Sequence, residues 1–379
     1  MRQVVDWASE QGMTIRDRLS AEQLAALGRV FSGAAPWSFE LYQPLRALSH
    51  AVARLDFPDL PARIHFADAL AAVEAVMGGE PWPTSTGISA LAFSELSYAQ
   101  TSGGITRLKE RFPAAWREHG VRNKNFLLQA SSVADGRSAL VIGAGKIYDI
   151  PLRALAERFD KLFLLDIDLD AMQHSIENSG LAPELRKRLE LVQADVTGIN
   201  DTFVERARKA LAHTAEDDVY VAILELLHSY RLGGVLEFAS FGAGRVELAI
   251  SSMVLSQLAT PLTEYLEARY HARFPGTQRW RRHELQVALG QFTHRVQHAH
   301  FRALTNVARA AVLTSDVAEQ AGEGWLPLIG APHLEELSSA IDQRVSSTTE
   351  WRWERVPASR QPPGRHLEVQ GVALREAAL

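Results

Sequence analysis

Three apolar runs end on residues that could hold a ligand. "ALVIGAGKIYDIPL" (139–152) stops at Gly143, Ala144 and Gly145. "KLFLLDID" (161–168) ends at Asp166, and "LELVQADV" (189–196) at Asp195. Glycine lets backbone approach a ligand with no side chain between them. Asp166 stands twenty-one positions after Gly145. That interval suits an acid accepting both hydroxyls of a ribose. Ordered together at three strand ends, these residues describe a nucleoside pocket. A dinucleotide fingerprint would place a third glycine at 148, and Tyr148 stands there. There is no GxxxxGK[ST] phosphate loop either, so a ligand without phosphates fits best.

Other residues offer weaker chemistry. Glu225, His228 and Tyr230 stand close together, and a histidine beside a cleft can act as a base near neutral pH. His228 and Tyr230 are therefore the candidate catalytic residues. "HRVQHAH" carries His294, His298 and His300, with His294 and His298 at i, i+4, a spacing known for zinc. It lacks the glutamate of a metalloprotease, and a polar helix face is the favoured reading, so no metal is expected. "RWRRHELQ" (279–286) could meet an acidic substrate, although a basic run is ordinarily a solvated helix face. Asp149 precedes the Pro151 helix and reads as its cap or helix-dipole partner, the alternative being to hold an ammonium group of the ligand.

The surrounding pattern says how these residues are positioned. Strand, helix, strand, helix, strand from about residue 138, with continuous apolar strands, points to a parallel sheet covered on both faces. "VELAISSMVLSQL" gives a fourth strand ending at Ser251 and Ser252, and "RAAVLTSDV" a fifth. "TEWRWERV" and "HLEVQGVAL", joined by a Pro/Gly loop, read as a closing antiparallel hairpin. The fold class is α/β: a doubly wound, mostly parallel seven-stranded sheet with a C-terminal hairpin. Residues 131–379 form this domain, with a helical insertion at 199–245. Residues 1–130 form a helical N-terminal region, with helices over 20–31, 66–79 and 88–104.

Composition narrows the classes. The chain has 379 residues, no cysteine and a formal net charge of −5. Absent cysteine excludes disulfides, thiolate metal sites and a cysteine nucleophile. The acidic balance argues against a nucleic-acid partner. No apolar run approaches a membrane span and no secretory signal is visible, so a cytoplasmic protein is expected. The Ala- and Arg-rich, Lys-poor composition suggests a high-GC bacterial source.

At these motifs the sequence resembles the class I S-adenosylmethionine-dependent methyltransferases. "LVIGAGKIYDI" is similar to their first motif and "LFLLDIDLDAM" to the second. "LVQADV" is similar to the third and "ELAISSMVLSQL" to the fourth-strand segment. The family often has a third glycine where Ile147 stands, and an acid where Val141 and Ile142 stand. The resemblance implies S-adenosylmethionine as cofactor. It would be held by Gly143, Ala144, Gly145, Tyr148, Asp166, Ile167, Asp195, Val196, Ser251, Ser252 and Met253. Asp166 would take the ribose, Asp195 would lie by the adenine amine, and the fourth-strand end would pass the methionine. Tyr148 could face the sulfonium. The expected reaction is in-line methyl transfer to nitrogen or oxygen of a small molecule or peptide. Absence of Asn-Pro-Pro-Tyr lowers a nucleic-acid acceptor further. The N-terminal region would serve as a lid or a homodimer contact. The alternatives are an NAD-dependent oxidoreductase and a non-catalytic nucleoside-binding scaffold.

Overall fold

The computed structural model describes residues 90–132, 134, 136–229, 245–321, 324–327, 343–357 and 365–376. The helices expected over 20–31 and 66–79 lie outside these residues. The third expected helix is two: α1 (Ala90–Glu95) and α2 (Tyr98–Arg111). Ser97 separates them with φ at 56°, a left-handed conformation that interrupts a right-handed helix. α2 runs through Gly103 rather than stopping there. Phe112 then ends α2 and leads into Pro113, which starts α3 (Pro113–Ser131), in keeping with proline's fit to a first helical turn.

The alternating segments follow as expected. They are β1 (Ser138–Ile142), α4 (Leu152–Arg158), β2 (Lys161–Asp166), α5 (Leu169–Glu177), the short α6 (Pro183–Arg186) and β3 (Leu189–Gln193). The insertion contributes α7 (Asn200–Leu211) and α8 (Glu216–Ser229). Next come β4 (Val246–Ser252), α9 (Thr260–Arg273), α10 (His283–Val307), β5 (Ala308–Ala321) and β6 (Gly324–Pro327). The hairpin strands are β7 (Gln343–Val356) and β8 (Arg365–Glu376). The sheet runs β3-β2-β1-β4-β5-β8-β7, with β6 pairing β5 off this path. The first five strands of that path are parallel, whereas β8 is antiparallel to both β5 and β7. The chain steps outward from β1 to β3, then crosses back to β4. A cleft therefore opens between β1 and β4 at their carboxyl ends, the switch point of a doubly wound sheet.

Side-chain alternation divides the core in two. Leu140, Ile142, Phe163, Leu165, Ala249 and Leu313 face one side, against Phe203, Ile223, Leu262 and Phe292. Ala139, Val141, Leu164, Ile250 and Val312 face the other, against Phe126, Leu127 and Leu155. Both faces are dry, which is why the strands read as unbroken apolar runs. α10 covers the first face only in part. Gln297 Nε2 donates to the Leu255 carbonyl at 3.3 Å, and His300 Nε2 lies 2.9 Å from Ser251 Oγ. Residues before Gln297 thus rise past the end of β4, at about 1.5 Å each.

α3 lies on the second face and belongs with the sheet to one compact unit, Trp82–Leu379. Residue 130 therefore marks a change of sequence pattern, with α3 packed in space against β7. The His119 ring stacks on Trp353 at 3.9 Å, and its Nδ1 accepts from Trp351 Nε1 at 3.2 Å. Burial pushes the His119 pKa down to about 3, so the ring is neutral and Nδ1 keeps its lone pair. Gly371 on β8 lets α3 in close: a Cβ there would sit 2.6 Å from a Phe126 ring carbon. Gly371→Ala is expected to destabilise the fold by about 1–3 kcal/mol through overpacking, read as a lower denaturant midpoint.

Candidate active site

The turn after β1 is tied to β2. Gly143 and Ala144 donate their N–H groups to the Leu165 carbonyl at 2.9 and 3.2 Å. Gly143 has φ at +72°, and a Cβ there would fall 1.7 Å from Val254 Cγ2. Only glycine fits that position. Gly145, at φ +35°, would place a Cβ 3.3 Å from Asp166 Oδ2. Ile147 has φ at 54°, a costly left-handed conformation for a β-branched residue. This is the place where the resembling family often has its third glycine. The backbone adopts the glycine-like form with isoleucine in place, held by an N–H bond to the Ala144 carbonyl at 2.8 Å.

Asp166 meets this turn directly. Its Oδ2 accepts the Gly145 N–H at 2.9 Å and its Oδ1 the Asp168 N–H at 2.9 Å. A carboxylate offers about four lone-pair sites, so these bonds leave acceptor capacity for a ligand hydroxyl. Burial pushes its pKa up to about 6, against the lowering effect of the backbone N–H groups of Asp168, Gly145 and Ile167. Ile167 is half-buried beside it, its carbonyl accepting from Gln193 Nε2 at 3.1 Å.

Asp195 sits one strand further along the same edge and is differently engaged. Its Oδ1 accepts Thr197 N–H at 2.9 Å and Thr197 Oγ1 at 2.6 Å, and its Oδ2 accepts the Asn200 N–H at 2.9 Å. The carboxylate is 2% exposed. It fixes the turn into α7, with the Gly198 N–H as a further backbone donor to it. The half-buried Val196 follows it. Tyr98 joins the group from α2, its hydroxyl accepting from Asn200 Nδ2 at 2.9 Å. Burial raises the Tyr98 pKa, and the charges of Asp195 and Asp166 raise it further. The phenol is therefore neutral.

Across the cleft, Ser251 and Ser252 part company. Ser251 faces His300 on one side of the sheet, where burial pushes the imidazole pKa down to about 4. Ser252 faces the turn, donating to Asp149 Oδ2 at 3.2 Å. Asp149 is not a helix cap: Pro151 occupies the N-cap position of α4, with no side-chain cap bond. Met253 has φ at 57° and packs against the Trp351 and Trp353 cluster. Tyr148 is covered from α2, with Lys109 Nζ 3.3 Å from its ring centroid and Thr106 Oγ1 3.4 Å from its hydroxyl. A lysine thus already lies over a face of the ring expected to meet a sulfonium. A cleft of about 580 Å³ opens on the outer side of this turn, lined by Lys124, Lys146, Ile147, Tyr148, Arg153 and His174 among others. Gly145, Asp166 and Asp195 are not part of its lining.

The remaining candidates separate from this edge. His228 Nδ1 lies 2.8 Å from the carbonyl of Leu224 in its own helix, and Glu225 is exposed. Tyr230 lies outside the described residues. The His294 and His298 rings are 6.3 Å apart, whereas His300 turns into the core. No group of three metal-ligating side chains occurs among the described residues. Trp280 of the basic cluster is buried against Tyr270, and Arg279 pairs with Glu216 and Asp217. Arg281, Arg282, His283 and Glu284 of the same run are exposed. Among the described residues, no helix is long and apolar enough to cross a membrane.

Two residues at the site escaped sequence reasoning: Tyr98 and Asn123. Asn123 carried a usable signal, being a polar residue on a stripe that continues through Phe126, Leu127 and Ala130.

No family model matches the chain, and no curated protein matches it. Three solved structures illustrate what it is similar to. A SAM dependent methyltransferase from Aquifex aeolicus aligns over 71% of this chain and 97% of its own, at 11% identity and a TM-score of 0.35. A glycopeptide N-methyltransferase aligns over 68% and 90%, at 10% identity and 0.32. A precorrin 8w decarboxylase from Methanobacterium thermoautotrophicum aligns over 67% and 89%, at 10% identity and 0.31. At such scores these likenesses decide nothing, and the fold rests on the strand order and directions given above.

Proposed function

We propose that the chain is an S-adenosylmethionine-dependent methyltransferase acting on nitrogen or oxygen of a small molecule or peptide. The observation that carries this reading is the bond between Gly145 N–H and Asp166 Oδ2. It brings the bare backbone turn and the ribose-type acid to one point at the switch of the sheet. The residues fit the cofactor. Asp166 would offer its remaining acceptor capacity to a ribose hydroxyl, and Gly143 and Gly145 leave no side chain in the way. Asp195 and the Val196 backbone, one strand further along the same edge, would lie beside the base. Tyr148 in place of a third glycine disfavours a pyrophosphate there.

When bound, the cofactor supplies an electrophilic methyl group on a sulfonium, and the chemistry is its own. What the chain supplies is position. Holding donor and acceptor in line can be worth roughly 7–11 kcal/mol. An acceptor would approach past Ser252 and Met253, at the carboxyl end of β4. A general base is required only where the acceptor loses its proton early.

The test is to incubate the full chain with S-adenosylmethionine carrying a labelled methyl group and an extract of cells that naturally make the protein. Transfer of label to a small molecule or peptide is the expected result. Label confined to nucleic acid would overturn the acceptor class, and no transfer with cofactor bound would favour a scaffold.

A further inference from the structure

The cleft on the outer side of the turn collects cations. Lys124 reaches it from α3, Lys146 from the turn and Arg153 from α4, and Glu157 is the one acid among the described residues lining it. Lys109 stands beside it, over the Tyr148 ring that forms part of the wall. Lys109, Lys124 and Lys146 are all half-buried. The ion-paired lysines among the described residues are Lys161, Lys187 and Lys209, and these three are not among them. Desolvation and the charge of Lys124 both push the Lys109 pKa down. Asp149 attracts Lys124 and Lys109, but its Oδ2 accepts from Ser252 and its carbonyl from Asn123 Nδ2 at 3.0 Å. Other polar groups of the wall are engaged locally. Arg153 Nη2 donates to the Gly180 carbonyl at 3.0 Å, Asn178 Nδ2 to the His174 carbonyl at 2.7 Å and Ser179 Oγ to the Ile176 carbonyl at 2.6 Å. Crowding like charges at a half-buried place costs free energy, and a bound anion would offset it. Lys146 also precedes Ile147, the left-handed residue of the turn, which lines the cleft too. Backbone strain of that kind gathers at ligand sites.

We infer that this cleft binds a small phosphate monoester with an apolar body, in a site separate from the nucleoside pocket. A phosphate monoester carries a charge of about −1.5 to −2 and three strong acceptor oxygens. That suits the ammonium groups of Lys124 and Lys146, which act on phosphate as point charges. A carboxylate would bring a single charge. Ile150, Pro151, Leu152 and Ala154 give the wall an apolar stretch for the organic part. The volume of about 580 Å³ falls within the range of small-molecule sites, about 300–1,000 Å³. Gly145, Asp166 and Asp195 are not part of the lining, so this site does not depend on the identity of the cofactor.

Phosphorus NMR titration of the full chain with phenyl phosphate tests this, with inorganic phosphate, benzoate and benzyl alcohol as competitors. Phenyl phosphate is expected to bind one to one, inorganic phosphate to compete less well, and benzyl alcohol not to compete. Combining Lys124→Gln with Lys146→Gln should weaken phenyl phosphate at least tenfold and leave S-adenosylhomocysteine within about twofold. Each single variant should show a smaller loss in the same direction. The denaturant midpoint of the double variant should not fall, because repulsion is relieved. No binding by the unmodified chain, or unchanged binding in the double variant, overturns the inference. Benzoate competing as well as unlabelled phenyl phosphate overturns the phosphate class, and a lowered midpoint would show that the lysines serve the fold instead. Failure of the unmodified chain to bind S-adenosylhomocysteine would overturn the function proposed above and leave the phosphate result standing.

Discussion

Asp166→Ala is expected to weaken S-adenosylhomocysteine binding at least tenfold in calorimetry, with the chain still folded. The reason is the division of lone pairs. Gly145 and Asp168 bond the carboxylate within the protein, and its remaining acceptor capacity would take a ribose hydroxyl. A hydrogen bond to a charged acceptor contributes about 1.5–3 kcal/mol, and about 1.4 kcal/mol is a factor of ten in affinity. Losing even one such bond reaches that factor. The pH dependence has a definite sign. Burial holds the free carboxyl pKa at about 6, and the ribose hydroxyls need the ionised form as their acceptor. Affinity should be flat above that pH and fall below it, by roughly tenfold per unit once the carboxyl is protonated. Asp166→Asn should be weak throughout and lack this step. An unchanged affinity in Asp166→Ala would remove the acid from the site.

The second large effect is expected at Gly143. Gly143→Ala must adopt φ near +72° and bring its Cβ to 1.7 Å from Val254 Cγ2. The left-handed strain costs about 1–2 kcal/mol, and forcing the stiff Val254 aside about 1–3 kcal/mol. Domains are stable by roughly 5–15 kcal/mol, so a large share of the folded margin disappears. A strongly lowered denaturant midpoint is the expected reading. Gly145→Ala makes the informative contrast. Its new methyl meets only Asp166 Oδ2, at 3.3 Å, so the chain should fold while ligand affinity drops through displacement of that carboxylate. If the two variants were equally stable, the tight packing of the turn against β4 would be wrong.

Legibility differed by element, and the reasons are physical. The runs around Val141 and Leu164 sit in inner parallel strands covered on both faces, and such strands announce themselves as apolar stretches; β3, at the sheet edge, is half-buried. The turn residues Gly143 and Gly145 were visible because no other residue serves there. Ile147 was opaque, since its left-handed backbone belongs to tertiary strain and not to its residue type. Asp149 looked like a helix cap from its place before Pro151. Its partner Ser252 lies more than a hundred positions away, and no local pattern connects them. The single helix expected to end at Gly103 is interrupted at Ser97, whose left-handed backbone has no signal in its residue type. Asp195 showed its position at a strand end, but sequence could not show that Thr197 and Asn200 already occupy most of its carboxylate.

Titration calorimetry of the unmodified full chain with S-adenosylhomocysteine, and separately with NADH, tests the nucleoside cleft most directly. One-to-one uptake of S-adenosylhomocysteine and no uptake of NADH is the expected result. NADH binding, or no heat from S-adenosylhomocysteine at any workable concentration, would contradict it.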